Sequence, residues 1–224
     1  RIVNSESSLQ VSYSGWALFT ECICTLIYLK MIAGLSFALA LSVPASAQQT
    51  EIPNYSEARQ VFWDALYTDG FQELYCGNTV SERGDHNVEH VFPAYWMTRA
   101  LDCGSRKTCR RTSQEFNRME ADLHNLWPTR TQVNARRGSF PFGEVPGEDH
   151  DFPSCDFEEN DGVVEPRPAS RGEVARSVLY MASAYDAEDG MPDDQLALMQ
   201  VWDQDDPPTV AEFERNDLIE ILQG

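Results

Sequence analysis

Apolar residues recur at helical spacing in several separate windows, while strand-like runs are few and short. Across residues 56–67, Val61, Phe62, Ala65 and Leu66 predict a helix that Ser56 can cap. Residues 71–78 fit neither period. Residues 89–92 are β-prone and stop at Pro93, and residues 94–101 predict a helix. Phe116, Met119 and Leu123 give a further helix over 113–123, followed by a short segment to Trp127. A helix is then expected over 129–137, with Pro128 near its first turn and Gly138 as its stop. Residues 143–168 are rich in acid, glycine and proline and read as a long surface excursion. Helices are expected over 172–187, where Val174, Val178, Leu179 and Met181 share a face, and over 192–202 and 209–222. There is no internal repeat. The pattern predicts an α+β fold, mostly helical, in a single domain.

The first 47 residues stand apart. From Met31 an apolar stretch runs to Pro44 and ends in Ala45-Ser46-Ala47, the layout of an export signal cut after Ala47. Glu21 and Lys30 interrupt the apolar run, so each piece is shorter than the roughly 20 residues of a membrane span. The expected organisation is therefore a leader over 1–47 and a domain over 48–224. The mature protein is expected to be secreted or periplasmic, without stable membrane association.

Cys22 and Cys24 leave with the leader, and Cys76, Cys103, Cys109 and Cys155 remain. Four cysteines in an exported chain point to two disulfides with three possible connectivities. Cys103 and Cys109 enclose only Gly-Ser-Arg-Lys-Thr, which favours that pair and leaves Cys76 for Cys155. A zinc site of all four cysteines competes, although close Cys-x-x-Cys pairs are missing.

Charge divides the chain unevenly. The 224 residues carry a formal charge of −19, which excludes a uniformly basic nucleic-acid binder. Residues 48–98 have a net charge of −6 and residues 138–224 a net charge of −18. Between them, residues 99–137 hold nine bases against four acids. Such an island is either uneven surface charge or a phosphate-facing strip, since arginine forks hold phosphate oxygens bidentately.

Candidate chemistry concentrates around this island. His86, His90 and His124 lie within 40 residues, and only His150 lies elsewhere. A histidine can act as a general base near neutral pH. A carboxylate with an amide oxygen suits a hard cation such as Mg²⁺. Cleaving a phosphodiester needs an activated water, a cation and a positive group, and residues 89–137 supply all three types. Glu89 and His90 would point to opposite faces of a strand, so they can share a site only if the strand bends or ends there.

Several segments carry a family likeness: VEHVFPAYW (Val88–Trp96), CGSRKTCR (Cys103–Arg110) and MEADLHNLWP with a following VN..R (Met119–Arg137). RGEVARSVLYM (Arg171–Met181) and FERNDLIEILQG (Phe213–Gly224) extend it. In these the chain resembles the endonuclease I family, exported nucleases built on the His-Me (ββα-metal) finger, from about Ala58 onward.

The resemblance implies His90 as general base and Glu89 and Asn134 as ligands of one Mg²⁺, with Ca²⁺ or Mn²⁺ as substitutes. It places Glu89 and His90 on or beside the finger's first strand, residues 123–127 as the second, and Asn134 on the helix. Arg110 would steady the phosphate, with Arg106 and Arg111 close enough to compete. Glu120 would serve catalysis by orienting the site, as would His124 and Asn125. Arg106, Arg111, Arg136 and Arg137 would face substrate. Where many relatives carry Gly-Asp after the ligand asparagine, this chain has Ala135-Arg136, which adds a positive charge. The implied activity is one-metal hydrolysis of DNA and of RNA, leaving 5′-phosphate ends with little sequence preference. A monomer is the default expectation, because the sequence carries no interface signal. Two alternatives remain. One is a binding protein of the same fold without turnover. The other is a zinc-dependent finger using His86, His124 or cysteines.

Overall fold

The computed structural model describes residues 48–147 and 152–224. The leader, its cleavage point, Cys22, Cys24 and His150 lie outside the described residues.

Helix α1 (Tyr55–Val61) begins one residue before the expected cap. Asn54, not Ser56, caps it, accepting from the amides of Ser56 and Glu57. Its end widens into a π turn (Phe62–Leu66), which buries both Phe62 and Leu66. The ambiguous stretch that follows contains β1 (Phe71–Gln72), paired antiparallel with β2 (Thr79–Val80).

Strand β3 (His86–His90) leads through Pro93 into α2 (Ala94–Ala100). Helix α3 (Arg106–Thr112) has no counterpart in the apolar pattern, because Cys109 is its one buried residue. Ser105 caps it, and the Cys103–Cys109 disulfide ties its middle to the preceding loop. Helix α4 (Gln114–Glu120), capped by Ser113, ends before the expected Leu123.

A 3₁₀ turn (Leu123–Asn125) then feeds β4 (Leu126–Arg130) and α5 (Thr131–Arg137). This shifts two expectations. The second strand starts three residues later than the resemblance implied, and Pro128 sits within it rather than in a first helical turn. β4 pairs with β3 in the register Glu89↔Trp127 and His90↔Leu126, and the Pro128 carbonyl accepts from Leu74 on the opposite edge. Ladder pairing outweighs the local proline signal here. Gly138 terminates α5 with φ of +57°, a conformation that favours glycine.

The expected surface excursion instead contains a hairpin, β5 (Phe157–Asn160) and β6 (Val163–Pro166). Asp161 and Gly162 both take positive φ at its turn. Phe157 and Val164 are fully buried, and the Cys76–Cys155 disulfide anchors the hairpin's approach. Helices α6 (Arg171–Ala184), α7 (Gln195–Asp205) and α8 (Val210–Gln223) complete the chain. Thr209 and Glu212 form a capping box at α8.

Both favoured disulfides are present, and the fold is a disulfide-linked α+β domain with three two-stranded antiparallel ladders among the described residues. None of the described helices is long and apolar enough to cross a membrane. Two apolar clusters flank the β3–β4 ribbon. Val88 and Leu126 join Ala58, Phe62 and Ile219 in one, while Val91, Phe92 and Val133 join the larger cluster around α6 and α7. The ribbon and α5 are thereby clamped from both sides, which is what a precise site requires.

Candidate active site

Strand β3 ends at His90, and Asn125 sets where it ends. The Asn125 carbonyl accepts from Val91, and its side chain both accepts from the Phe92 amide (2.6 Å) and donates to the Phe92 carbonyl (3.0 Å). The chain turns away from the ladder immediately afterwards. Glu89 and His90 consequently line one cavity of about 330 Å³, together with Asn134, Arg106, Arg110 and Tyr55.

The Nε2 of His90 lies 3.0 Å from the backbone carbonyl of Glu120. A carbonyl only accepts, so neutral His90 carries its proton on Nε2 and keeps the Nδ1 lone pair as the basic position. Burial, reinforced by the positive charge of Arg106, pushes its pKa down to about 4. The imidazole is therefore neutral at physiological pH and able to take a proton. The ring of Tyr55 packs against it with centroids 4.7 Å apart.

Glu89 is 3% exposed. The Tyr75 hydroxyl donates to its Oε1 at 2.8 Å, and Arg137 Nε lies 3.1 Å from the same oxygen, close enough for an ion pair but off the line of a hydrogen bond. Burial dominates, and even with Arg137 beside it the carboxyl is raised to about 7. Asn134 donates Nδ2 to Asn87 Oδ1 (2.8 Å) and to the Val88 carbonyl (3.2 Å), which fixes the amide and leaves its Oδ1 as an acceptor. A buried, undercompensated carboxylate beside a fixed amide oxygen is a donor set that fits a hard divalent cation completed by water or phosphate oxygens.

The positive wall comes from α3. Arg110 gives Nε and Nη2 to the Glu120 carboxylate at 2.7 and 2.8 Å, and Arg106 gives Nε at 2.5 Å. Glu120 is 1% exposed, whereas both arginine side chains are over 40% exposed. One buried carboxylate thus aims two guanidinium groups at the cavity. Arg110 is not singled out over Arg106, because both line the cavity and share the same anchor.

Glu120 does not line the cavity but touches His90, Arg106 and Arg110, the placement expected of a group that orients the site. Other expected placements change. Arg137 is fully buried. It donates to the carbonyls of Val91 and Gly138 and lies between the rings of Trp96 and Phe142, so it cannot meet substrate. Arg111 is exposed and outside the cavity lining, and Arg136 pairs with Glu159 at 2.8 Å. His124 belongs elsewhere: its ring meets Asp122 and Asn216 and borders a larger cavity of about 720 Å³. That cavity shares no lining residue with the smaller one, which holds Glu89, His90 and the fixed Asn134 amide.

The zinc reading fails among the described residues. All four cysteines are in disulfides, and His86 Nδ1 is 2.9 Å from the Arg83 carbonyl. Glu73 approaches Cys76 and Cys155, but its carboxylate already accepts from the amides of Tyr75 and Cys76.

Sequence reasoning missed Tyr55 and Tyr75. Neither lies in a chemistry-bearing motif, and only the tertiary packing of α1 and of the β1–β2 loop brings them to the site. The proximity of Tyr75 to Cys76 was the only local signal.

Known proteins match most of this chain. The Endonuclease I family matches residues 42–224. A periplasmic deoxyribonuclease of Aeromonas hydrophila is 38% identical over 85% of this chain and 90% of its own. An extracellular deoxyribonuclease of the same organism is 34% identical over 85% and 93%. An extracellular ribonuclease of Bacillus subtilis is 30% identical over 61% of this chain and 47% of its own. The chain belongs to the endonuclease I family.

Proposed function

We propose that the protein is a nuclease that works outside the cytoplasm and hydrolyses DNA and RNA with one Mg²⁺, with weak sequence preference. The observation that carries this reading is the pairing, in one basic cavity, of a neutral His90 with the oxygen atoms of Glu89 and Asn134. Extracellular and periplasmic relatives that include deoxyribonucleases and a ribonuclease support the substrate class and location.

In this reading the β3–β4 ribbon and α5 are the two strands and helix of a His-Me finger. Glu89 and Asn134 would hold the cation, and its positive charge would offset the charge that builds up when a phosphodiester is cleaved there. His90 takes the proton of the attacking water at Nδ1, while the Glu120 carbonyl steadies the charged ring. Arg106 and Arg110 keep guanidinium N–H groups beyond those given to Glu120, and these meet the phosphate oxygens. Water attacks phosphorus opposite the 3′ oxygen, the P–O3′ bond breaks and the 3′ oxygen takes a proton from solvent, so the products carry 5′-phosphate and 3′-hydroxyl ends, and no 2′-hydroxyl is needed. Contacts to phosphate position the strand without reading its sequence.

The test is plasmid nicking by the oxidised protein with Mg²⁺, with EDTA, and with His90→Ala. EDTA should abolish cleavage, and the substitution should cost about 10²–10⁴-fold. Absence of cleavage by folded wild-type protein across several divalent metals would replace this reading with a binding protein that kept the fold without turnover.

A further inference from the structure

We propose that Tyr55 is a positioning residue of this site, its ring holding the His90 imidazole and its hydroxyl donating to a substrate phosphate. This rests on the nuclease reading above.

The residue is placed rigidly. It is the first of α1, directly after the Asn54 cap, and α1 is held to the ribbon through Ala58 and Phe62 in the cluster that includes Val88 and Leu126. Its ring meets the imidazole at an interplanar angle of 54°. His90 makes one ring hydrogen bond, through Nε2, which fixes a direction but leaves rotation about that bond open. A ring packed on the imidazole removes that freedom and keeps Nδ1 directed where water is to be deprotonated.

The surroundings of the phenol are cationic. The guanidinium carbons of Arg110, Arg106 and Arg59 lie 5.5, 5.7 and 6.0 Å from the ring centroid. Such contacts are favourable because the face of an aromatic ring is electronegative. The ring therefore lies among three like charges, two of which, Arg106 and Arg110, line the cavity. Burial raises the hydroxyl above its ordinary pKa, and the nearby arginines offset this only in part. The group remains a neutral donor, suited to a phosphate oxygen already attracted by the arginines. The Glu120 carboxylate already accepts three hydrogen bonds from Arg106 and Arg110.

The ring and the hydroxyl can be separated experimentally. Steady-state cleavage of a defined duplex should be measured for wild type, Tyr55→Phe, Tyr55→Leu and Tyr55→Ala, with melting temperature as a folding control. Phenylalanine should keep kcat within twofold and raise KM three- to tenfold. Alanine should lower kcat at least tenfold at saturating substrate, with leucine in between. The return of kcat but not of KM in the phenylalanine variant marks positioning, which a loss of stability would not reproduce. If phenylalanine and alanine behave alike, or if folded alanine protein keeps wild-type kcat, the inference is wrong. Should alanine not fold, leucine decides the role of the ring and phenylalanine that of the hydroxyl. Active wild type with unchanged variants overturns this inference alone, whereas inactive wild type overturns the nuclease reading and this inference with it.

Discussion

Two buried carboxylates sit beside histidines in this fold, and they differ in how they are satisfied. Asp122 is fully buried and receives the His124 amide, the His124 ring, the hydroxyls of Tyr180 and Tyr185, and Gln223. Burial alone would raise its pKa, but the bonds from His124, Gln223 and Tyr185 hold it below the usual value. Glu89 is nearly as buried, yet Tyr75 and an imperfectly aligned Arg137 leave it raised to about 7. A carboxylate with every lone pair answered is part of the scaffold. One left short of compensation is a place where a cation gains.

Substitution should separate the two most sharply. Glu89→Gln is expected to lower Mg²⁺-dependent nicking by about a hundredfold or more, since even an outer partner of a metal ligand is worth 10–100-fold. Its melting temperature without metal should hold or rise, because a neutral amide suits the buried position. Asp122→Asn should do the opposite. Losing the charge that five donors face should cost about 3 kcal/mol. For a domain of this size that lowers the melting temperature by about 6–12 °C. Cleavage per folded molecule should be unchanged. If both variants lose activity and stability in parallel, the distinction does not hold.

Acid and base should also act on them in opposite senses. Asp122 has a depressed folded pKa, so its contribution is full above about pH 4 and is lost as pH falls through the lower folded value. Glu89 has a raised one, so its contribution is full below about pH 4 and is lost as pH rises through about 7. In chelator, wild type should therefore lose stability relative to Glu89→Gln between about pH 4 and 7. Mg²⁺ should recover it above pH 7, because the cation binds the ionised form. Thermal melts of the pair across this range give the answer. The smallest effect is expected at His124→Gln, about 1 kcal/mol or 2–4 °C, with nicking within twofold of wild type. A large loss of nicking there would put His124 back in the site.

The sequence exposes the proposed reacting groups better than their support. Glu89, His90 and Asn134 lie in contiguous segments with family likeness, and the end of β3 at His90, set by Asn125, explains how adjacent residues share a cavity. The basic island, by contrast, mixes fates that charge alone cannot sort. Arg106 and Arg110 reach the cavity, while Arg137 is buried as a structural partner of Glu89. Helix α3 escapes notice because seven residues with one buried side chain carry no period. The hairpin at 157–166 is obscured by its acidic composition, although Asp161-Gly162 between Phe157 and Val164 is a legible turn signal. Tyr55 and Tyr75 become part of the site only through packing across the chain.

The clasp by Gln223 bears on when the molecule becomes competent. Its side chain holds both Asp122 and the Leu123 amide, about a hundred positions earlier in the chain and just ahead of β4. A polypeptide still being synthesised and exported must place its early segments without that clasp. Assembly of the ribbon is thus coupled to the arrival of α8, which lies about a hundred positions further along the chain.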